Sequence, residues 1–323
     1  MIKVLKPGIE VTVQDLGRIG TYDMAMPPSG ALDEFSYLVA NWLVGNPDNA
    51  AALEITYLGP ELVFQTETTI AITGAEMPPK INGVSIPMWE SVTVKPDDRL
   101  SFDFVKSGAR TYLAVAGGID VPRVLGSRST YPTIGIGGFE GRKLQPDDIL
   151  PIGNHPGSPG RTIRRLPGSY IPQYGKCHEI RVVVGMCSYR FTEESMTAFF
   201  ESEWIVTPEA NRVGYRLKGE RMHFVPREPP FGAGSDPSNI VDAGYPLGSI
   251  QVPGGIEPIV LMKDAVTCGG FATLGTVISV DLNKMGQIKS NERIRFVSVT
   301  LEESLAARKQ FRHLLAEIKS QLL

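Results

Sequence analysis

Val94-Lys95-Pro96-Asp97-Asp98-Arg99-Leu100 reads as the end of one strand, a type I turn carrying acidic residues and the start of another strand. The same device returns at Leu144-Gln145-Pro146-Asp147-Asp148-Ile149-Leu150 and at Ile288-Lys289-Ser290-Asn291-Glu292-Arg293-Ile294. It is a common way to turn a chain and does not require an internal duplication, but its presence in both halves predicts barrel-like sheets in each. The surroundings agree: 34 glycines and 25 prolines punctuate short apolar runs roughly every ten residues, as in antiparallel β architectures.

The predicted class is therefore mostly β: two β-rich halves with few helices and a C-terminal helix. Strands are expected over 61–65, 69–73, 91–94, 99–105, 110–116, 179–184, 259–263, 277–281 and 293–299, where short apolar runs alternate with polar residues. Helices are expected over 32–44, stopped by Gly45-Asn46-Pro47, and over 192–202 with Thr192 as N-cap. A third is expected over 301–322, where Leu301, Leu305, Phe311, Leu314, Leu315 and Ile318 recur. Residues 153–175 hold Pro and Gly with little periodicity and read as a linker. The expected order is a β-rich half over 1–152, the linker, a barrel over 176–300 and a helix over 301–323. Residues 226–246 are breaker-rich and read equally as an active-site flap or a surface excursion.

Composition removes several function classes. With 32 Lys plus Arg against 35 Asp plus Glu, the net charge is −3 and no basic block occurs, so nucleic acid is not an expected partner. No apolar run approaches the length needed to cross a bilayer, and the N-terminus lacks a signal-peptide pattern, so a cytoplasmic, non-membrane protein is expected. Cys177, Cys187 and Cys268 are odd in number and widely spaced, which predicts free thiols. His155, His178, His223 and His313 show no ligand spacing, and no metal is expected.

Some segments carry chemistry-bearing side chains. Asp15 and Arg18 follow a strand, where Arg18 could grip an anion or pair with Asp15; Arg128 lies in a similar turn. Gly135 to Arg142 could form an anion nest, though glycine-rich turns are mostly turns. In the second half, Asn211, Arg212, Tyr215 and Arg216 surround a glycine, and Ser249 and Gln251 alternate with apolar residues so as to share a sheet face. Lys263, Asp264 and Thr267 end an apolar strand with an anion grip, a base or acceptor, and a positioning hydroxyl. A solvated strand end would look the same. Cys268 is expected to be a buried small residue rather than a nucleophile, since no histidine lies near it in sequence.

The stretches TVQDLGRIG, PPSGALDEFSYLVANWLVGN, YLAVAGGIDVPRVLGSRSTY, GIGGFEGRKLQPDD, NRVGYRLKG, GSIQVP, DAVTCGGF and TLGTVISVDLNKMGQIKSNERIRF carry a resemblance across most of the chain. They are similar to the allophanate hydrolase subunit 2, KipI antagonist (KipA) or biotin-dependent carboxyltransferase family, which includes the C subunit of 5-oxoprolinase and the carboxyltransferase region of urea carboxylase. The resemblance implies a cyclophilin-like barrel and a KipI-like partner subunit, the B-type component of 5-oxoprolinase. It implies either ATP-dependent opening of a lactam beside a LamB-like, A-type component, or carboxyl transfer to an amide nitrogen from biotin on a carrier protein. It places catalysis on Asp264, Thr267 and Lys263, and substrate binding on Asn211, Arg212, Tyr215, Arg216, Ser249 and Gln251. Asp15, Arg18 and Arg128 are left as an anion or partner site.

No lysine stands in an Ala-Met-Lys context, so biotin would arrive on another chain. The chain departs from the family pattern at Met186-Cys187, where many relatives have Pro-Gln, and at Val266, where a Gln is usual. Two side-chain amides are thereby lost, which points to a substrate other than urea or 5-oxoproline, or to a degenerate site. The competing reading is a non-catalytic regulator that binds and antagonises a KipI-like inhibitor of a sensor kinase.

Overall fold

A computed structural model describes residues 1–154, 163–228, 231–232 and 234–323. They form two compact units: Met1–Ile19, Ser29–Tyr174 and His313–Leu323 in the first, Gly20–Pro28 and Gly175–Arg312 in the second. Part of the predicted linker, residues 155–162, and residues 229, 230 and 233 of the predicted flap lie outside the described residues.

The first unit holds two antiparallel sheets. One runs in the order Ile149–Leu150, Ile2–Lys6, Glu61–Phe64, Arg99–Phe102, Pro79–Ile81 and Val84–Ser85; the other runs Glu10–Gln14, Ala52–Thr56, Ser107–Val115, Thr68–Glu76 and Ser91–Val94. Alternate residues from both sheets, among them Ile2, Val4, Leu62, Phe64, Leu53 and Leu113, meet in one buried core. The helix Glu34–Leu43 lies against the second of these sheets, nearly buried throughout. It starts where Asp33 caps it, accepting from Ser36 N at 3.1 Å and from Ser36 Oγ at 2.6 Å.

The second unit is built on a closed seven-stranded barrel, ordered Cys177–Val184, Thr273–Val277, Ser249–Gln251, Ile259–Leu261, Gly214–Lys218, Glu203–Val206 and Arg293–Ser298. Its first and last strands close the barrel in parallel. Helix Glu193–Glu201 begins as expected at Thr192, whose side chain accepts from Ser195 N. Phe199 from that helix stacks on Phe296 at 4.6 Å and lies 5.5 Å from Trp204, which donates Nε1–H to its carbonyl at 3.0 Å. A two-stranded ribbon, Asn239–Gly244 with Cys268–Phe271, completes the unit.

The thrice-used turn has one geometry, not the expected type I: its third residue takes a positive φ, as in type II. Asp97, Asp147 and Asn291 have φ of 68°, 67° and 68°, and the next residue's carboxylate accepts the amide three positions back: Asp98 from Lys95, Asp148 from Gln145, Glu292 from Lys289. Asp and Asn tolerate this left-handed conformation better than other side chains do. Glu292 also meets His178 at 3.0 Å. Burial raises the Glu292 pKa, but the His178 bond, the Lys289 amide and both neighbouring charges outweigh it and hold the carboxyl below its ordinary 4.5. A carboxyl with a depressed folded pKa stabilises the fold above its unfolded value, and that contribution disappears as pH falls through the folded value. The urea midpoint should therefore drop as pH falls below the ordinary carboxyl value of 4.5, less steeply for Glu292→Gln; parallel profiles for the two proteins would refute this.

Several expectations need correction. The strand placed at 277–281 lies at Thr273–Val277, because Asp281 is buried and binds the Arg181 guanidinium at 2.7 and 2.9 Å, turning the chain into the helix Leu282–Met285. The strand at 99–105 stops at Phe102, beyond which Asp103 ties to Lys80. The helix Leu301–Leu322 forms, started by a reciprocal cap between Thr300 and Glu303, but it buries only Ile318 and Leu322. Leu301 and Leu305 are more than half exposed. The end of the supposed flap, Asn239–Gly244, is a paired strand. No helix is long and apolar enough to cross a membrane among the described residues.

Candidate functional site

The barrel gathers the sequence-predicted residues of the second half along three neighbouring strands, though not into one cluster. Arg212 sits just before Gly214–Lys218, and Asp264 just after Ile259–Leu261. These strands pair antiparallel, with Gly214 opposite Leu261, so the two side chains are brought together. The pair is bidentate: Arg212 Nε to Asp264 Oδ2 at 2.8 Å and Nη2 to Oδ1 at 3.1 Å. Asp264 N also donates to the Arg212 carbonyl at 2.9 Å. Both side chains are almost fully withdrawn from solvent, so the ions neutralise each other in a low-dielectric setting. Lys263 is also buried.

The remaining predicted binders point in different directions. Tyr215 faces the barrel interior, and Arg216, next along the same strand, faces outward to Glu257 at 3.3 Å, as the two-residue period of a strand requires. Asn211 turns its Oδ1 back on the amides of Val213 and Gly214. Ser249 is buried and donates to the Pro246 carbonyl at 2.6 Å, while Gln251 is half-buried. A register shift between Ile250 and Gln251 interrupts the simple alternation read from the sequence.

Thr267 lies on the wall of an open cleft of about 560 Å³, together with Tyr22, Asp23, Ala25, Gly244, Tyr245, Pro246 and Cys268. Tyr245 builds this wall. Its amide donates to the Thr267 carbonyl at 2.7 Å, and its phenol oxygen both accepts from Phe271 N at 2.6 Å and donates to Phe271 O at 2.8 Å. A Cβ on Gly269 would stand 2.8 Å from the Tyr245 ring, so only glycine allows this approach. Burial pushes the Tyr245 phenol upward; its bond to Phe271 offsets part of this, and the charges of Asp242, Cys187 and Cys268 add to it. Cys268 is exposed, contrary to expectation, because its short ribbon has solvent on one side. All three cysteines are free thiols. Of the departures from the family pattern, Met186 and Val266 are exposed and Cys187 is close enough for its charge to act on the cleft tyrosine.

In the first unit, Asp15 is saturated by protein donors: Ser127 Oγ, Ser129 Oγ and Arg128 N at 2.6 Å each, and Gly17 N at 2.8 Å. Arg18 donates to the Ser129 carbonyl, and Arg128 binds Asp120 at 2.9 Å and the Val121 carbonyl at 2.8 Å. The glycine-rich loop is a set of turns: the amides of Gly135, Ile136, Gly138, Gly141 and Arg142 all donate to backbone carbonyls. They do not form an open nest for an anion. Among the described residues no group of three or more His, Cys, Asp or Glu side chains is arranged to hold a metal ion.

Sequence reasoning misses Tyr22, Asp23 and Tyr245. Tyr245 closes the breaker-rich segment 226–246, which is the available signal; Tyr22 and Asp23 follow a glycine in a stretch without periodicity, and nothing local announces them.

Comparison with known proteins accounts for this architecture over most of its length. The family model of the carboxyltransferase domain, subdomains A and B, matches residues 24–298. The C subunit of 5-oxoprolinase from Escherichia coli is 38% identical over 320 residues, 95% of this chain and 94% of that protein. Urea amidolyase of Saccharomyces cerevisiae is 37% identical over 310 residues, which cover 94% of this chain but only 17% of that protein. The crystal structure of Kluyveromyces lactis urea carboxylase superposes with a TM-score of 0.93 at 36% identity, covering 100% of this chain and 29% of that one. The chain thus belongs to the carboxyltransferase domain family, subdomains A and B.

Proposed function

We propose that this chain is one component of a multi-part enzyme that acts on an amide or lactam, and that the Thr267 cleft receives the substrate. The observation that carries the reading is the 38% identity to the C subunit of 5-oxoprolinase over nearly the full length of both chains. On that reading the chain works with a KipI-like, B-type partner and a LamB-like, A-type component, opening a lactam at the expense of ATP. A second reading, biotin-dependent carboxyl transfer to an amide nitrogen, is favoured by the close superposition on urea carboxylase. Biotin would then be delivered on a carrier protein. Five of the eight amides of the loop 135–142 already donate to backbone carbonyls, and nucleotide binding is assigned to the partners.

Within this chain, Thr267 offers its hydroxyl to the amide, and the Arg212–Asp264 pair fixes the adjoining strand ends. Asp264 acts through Arg212 as a positioning residue, since Arg212 occupies both of its oxygens. Turnover should be assayed on the complex copurified with its KipI-like partner, against a panel of lactams and amides, with ATP and with carboxybiotin. Thr267→Val, which keeps volume and removes the hydroxyl, should lower kcat/KM about tenfold or more while the complex still forms. Undiminished turnover would remove Thr267 from the site. A complete complex inactive on every substrate, with partner binding intact, would replace both enzymatic readings with the regulatory one.

A further inference from the structure

Two arginines of the second unit tie one short turn and pair with no carboxylate among the described residues. The turn closes where Asn239 N donates to the Asp236 carbonyl at 3.0 Å, at the start of the strand Asn239–Gly244. Arg190 Nη2 donates to the Pro237 carbonyl at 2.6 Å, and Arg227 Nη2 donates to the Asn239 carbonyl. Arg190 is 5% exposed, and its Nε and Nη1 donate to no described residue. The Nε of Arg227 is buried and likewise has no partner among the described residues. The segments that carry the two are neighbours: Phe191 bridges Phe224, and Val225 N donates to the Arg190 carbonyl at 2.8 Å.

The acids nearest in sequence do not supply the missing charge. Asp236 Oδ1 accepts from Ser238 N at 2.8 Å and from Ser238 Oγ at 2.6 Å, and Glu228 is exposed; neither pairs with Arg190 or Arg227. A carbonyl dipole neutralises a guanidinium only in part, and a desolvated cation without a counter-ion is costly. A guanidinium has five N–H donors, and the described residues take one from each arginine. The two carbonyls belong to residues two positions apart, whose Cα atoms lie within about 7 Å, a span that one oxyanion bridges. Pro237 is exposed, so the turn is open to solvent.

We propose that Arg190 and Arg227 form an oxyanion site on this turn, which takes the phosphate or carboxylate group of a small molecule. Guanidinium groups read both through paired N–H···O bonds. The site shares no residue with the lining of the Thr267 cleft, and it stands whether or not that cleft receives the substrate.

Urea unfolding of the full chain tests it, in millimolar sodium phosphate, sodium acetate or sodium chloride at matched ionic strength. Phosphate, acetate or both should raise the midpoint by about 0.3 M over chloride, because the anion binds the folded state alone. A gain with phosphate only assigns a phosphoryl ligand, and a gain with acetate extends the site to carboxylates. Arg227→Gln, at a half-buried position, should unfold at one midpoint in all three salts, and Arg190→Met should do the same. A merely structural arginine would lower the midpoint equally in every salt and leave the anion gain in place. Should Arg190→Met fail to fold, the Arg227 variant decides alone. No gain over chloride in the parent, or a gain that persists in Arg227→Gln, would overturn the proposal.

Discussion

Replacing Asp264 by alanine is expected to destabilise the protein by about 3–5 kcal/mol, seen as a lower urea midpoint with an unchanged slope. The cause is the guanidinium left behind. Arg212 is 4% exposed at its side chain and donates two bonds to Asp264, so the variant takes the neutralising carboxylate from a desolvated cation. A surface ion pair would contribute no more than about 1 kcal/mol, and burial is what separates the two cases. The sign can be checked with a second variant. Changing both residues, Arg212→Met with Asp264→Leu, should recover most of the loss, because a buried ion pair does little better than well-packed apolar side chains. If the single alanine variant unfolds at the same midpoint as the parent, the pair is solvated in solution and its positioning role fails.

Trp204→Ala should cost a similar amount, about 3–5 kcal/mol, for a different reason. Trp204 is fully buried, lies 5.5 Å from Phe199 and donates to the Phe199 carbonyl, so its loss empties the space between the Glu193–Glu201 helix and the barrel. The chain cannot easily collapse onto the void. Gly219 rests directly against the indole, where an added Cβ would stand 2.5 Å from the ring, and the backbone on that side is held in the Gly214–Lys218 strand. Trp204→Phe keeps most of the volume and loses the N–H bond, and should cost about 1–2 kcal/mol. An alanine variant within about 1 kcal/mol of the parent would mean that the barrel repacks and that no void persists.

Where local chemistry decides a structure, the sequence is readable. Thr192 caps its helix, the acidic turns repeat with one geometry, and the terminal helix spans the predicted residues. Among the strands that escape notice are two whose polar residues are also buried. Glu10–Gln14 and Ala52–Thr56 alternate polar with apolar like half-exposed strands, yet Thr12, Gln14 and Glu54 are covered and satisfied inside the first unit. Periodicity reports polarity, and polarity stops reporting exposure when buried groups find partners. The candidate site divides in the same way. The union of Arg212 with Asp264 follows from antiparallel neighbours, whereas Tyr22 and Asp23 reach the cleft from nearly the other end of the sequence.

The parallel closure of the barrel has a consequence for how the chain folds. Strands Cys177–Val184 and Arg293–Ser298 lie far apart in sequence, and Cys177 pairs with Arg293 directly. Until the later strand is available, the earlier one presents an unpaired edge on that side. Such long-range pairing makes folding slow relative to helical or hairpin-rich domains of the same size. On the ribosome, the second unit should stay open, and be a ready client for chaperones, until its last strand has left the exit tunnel.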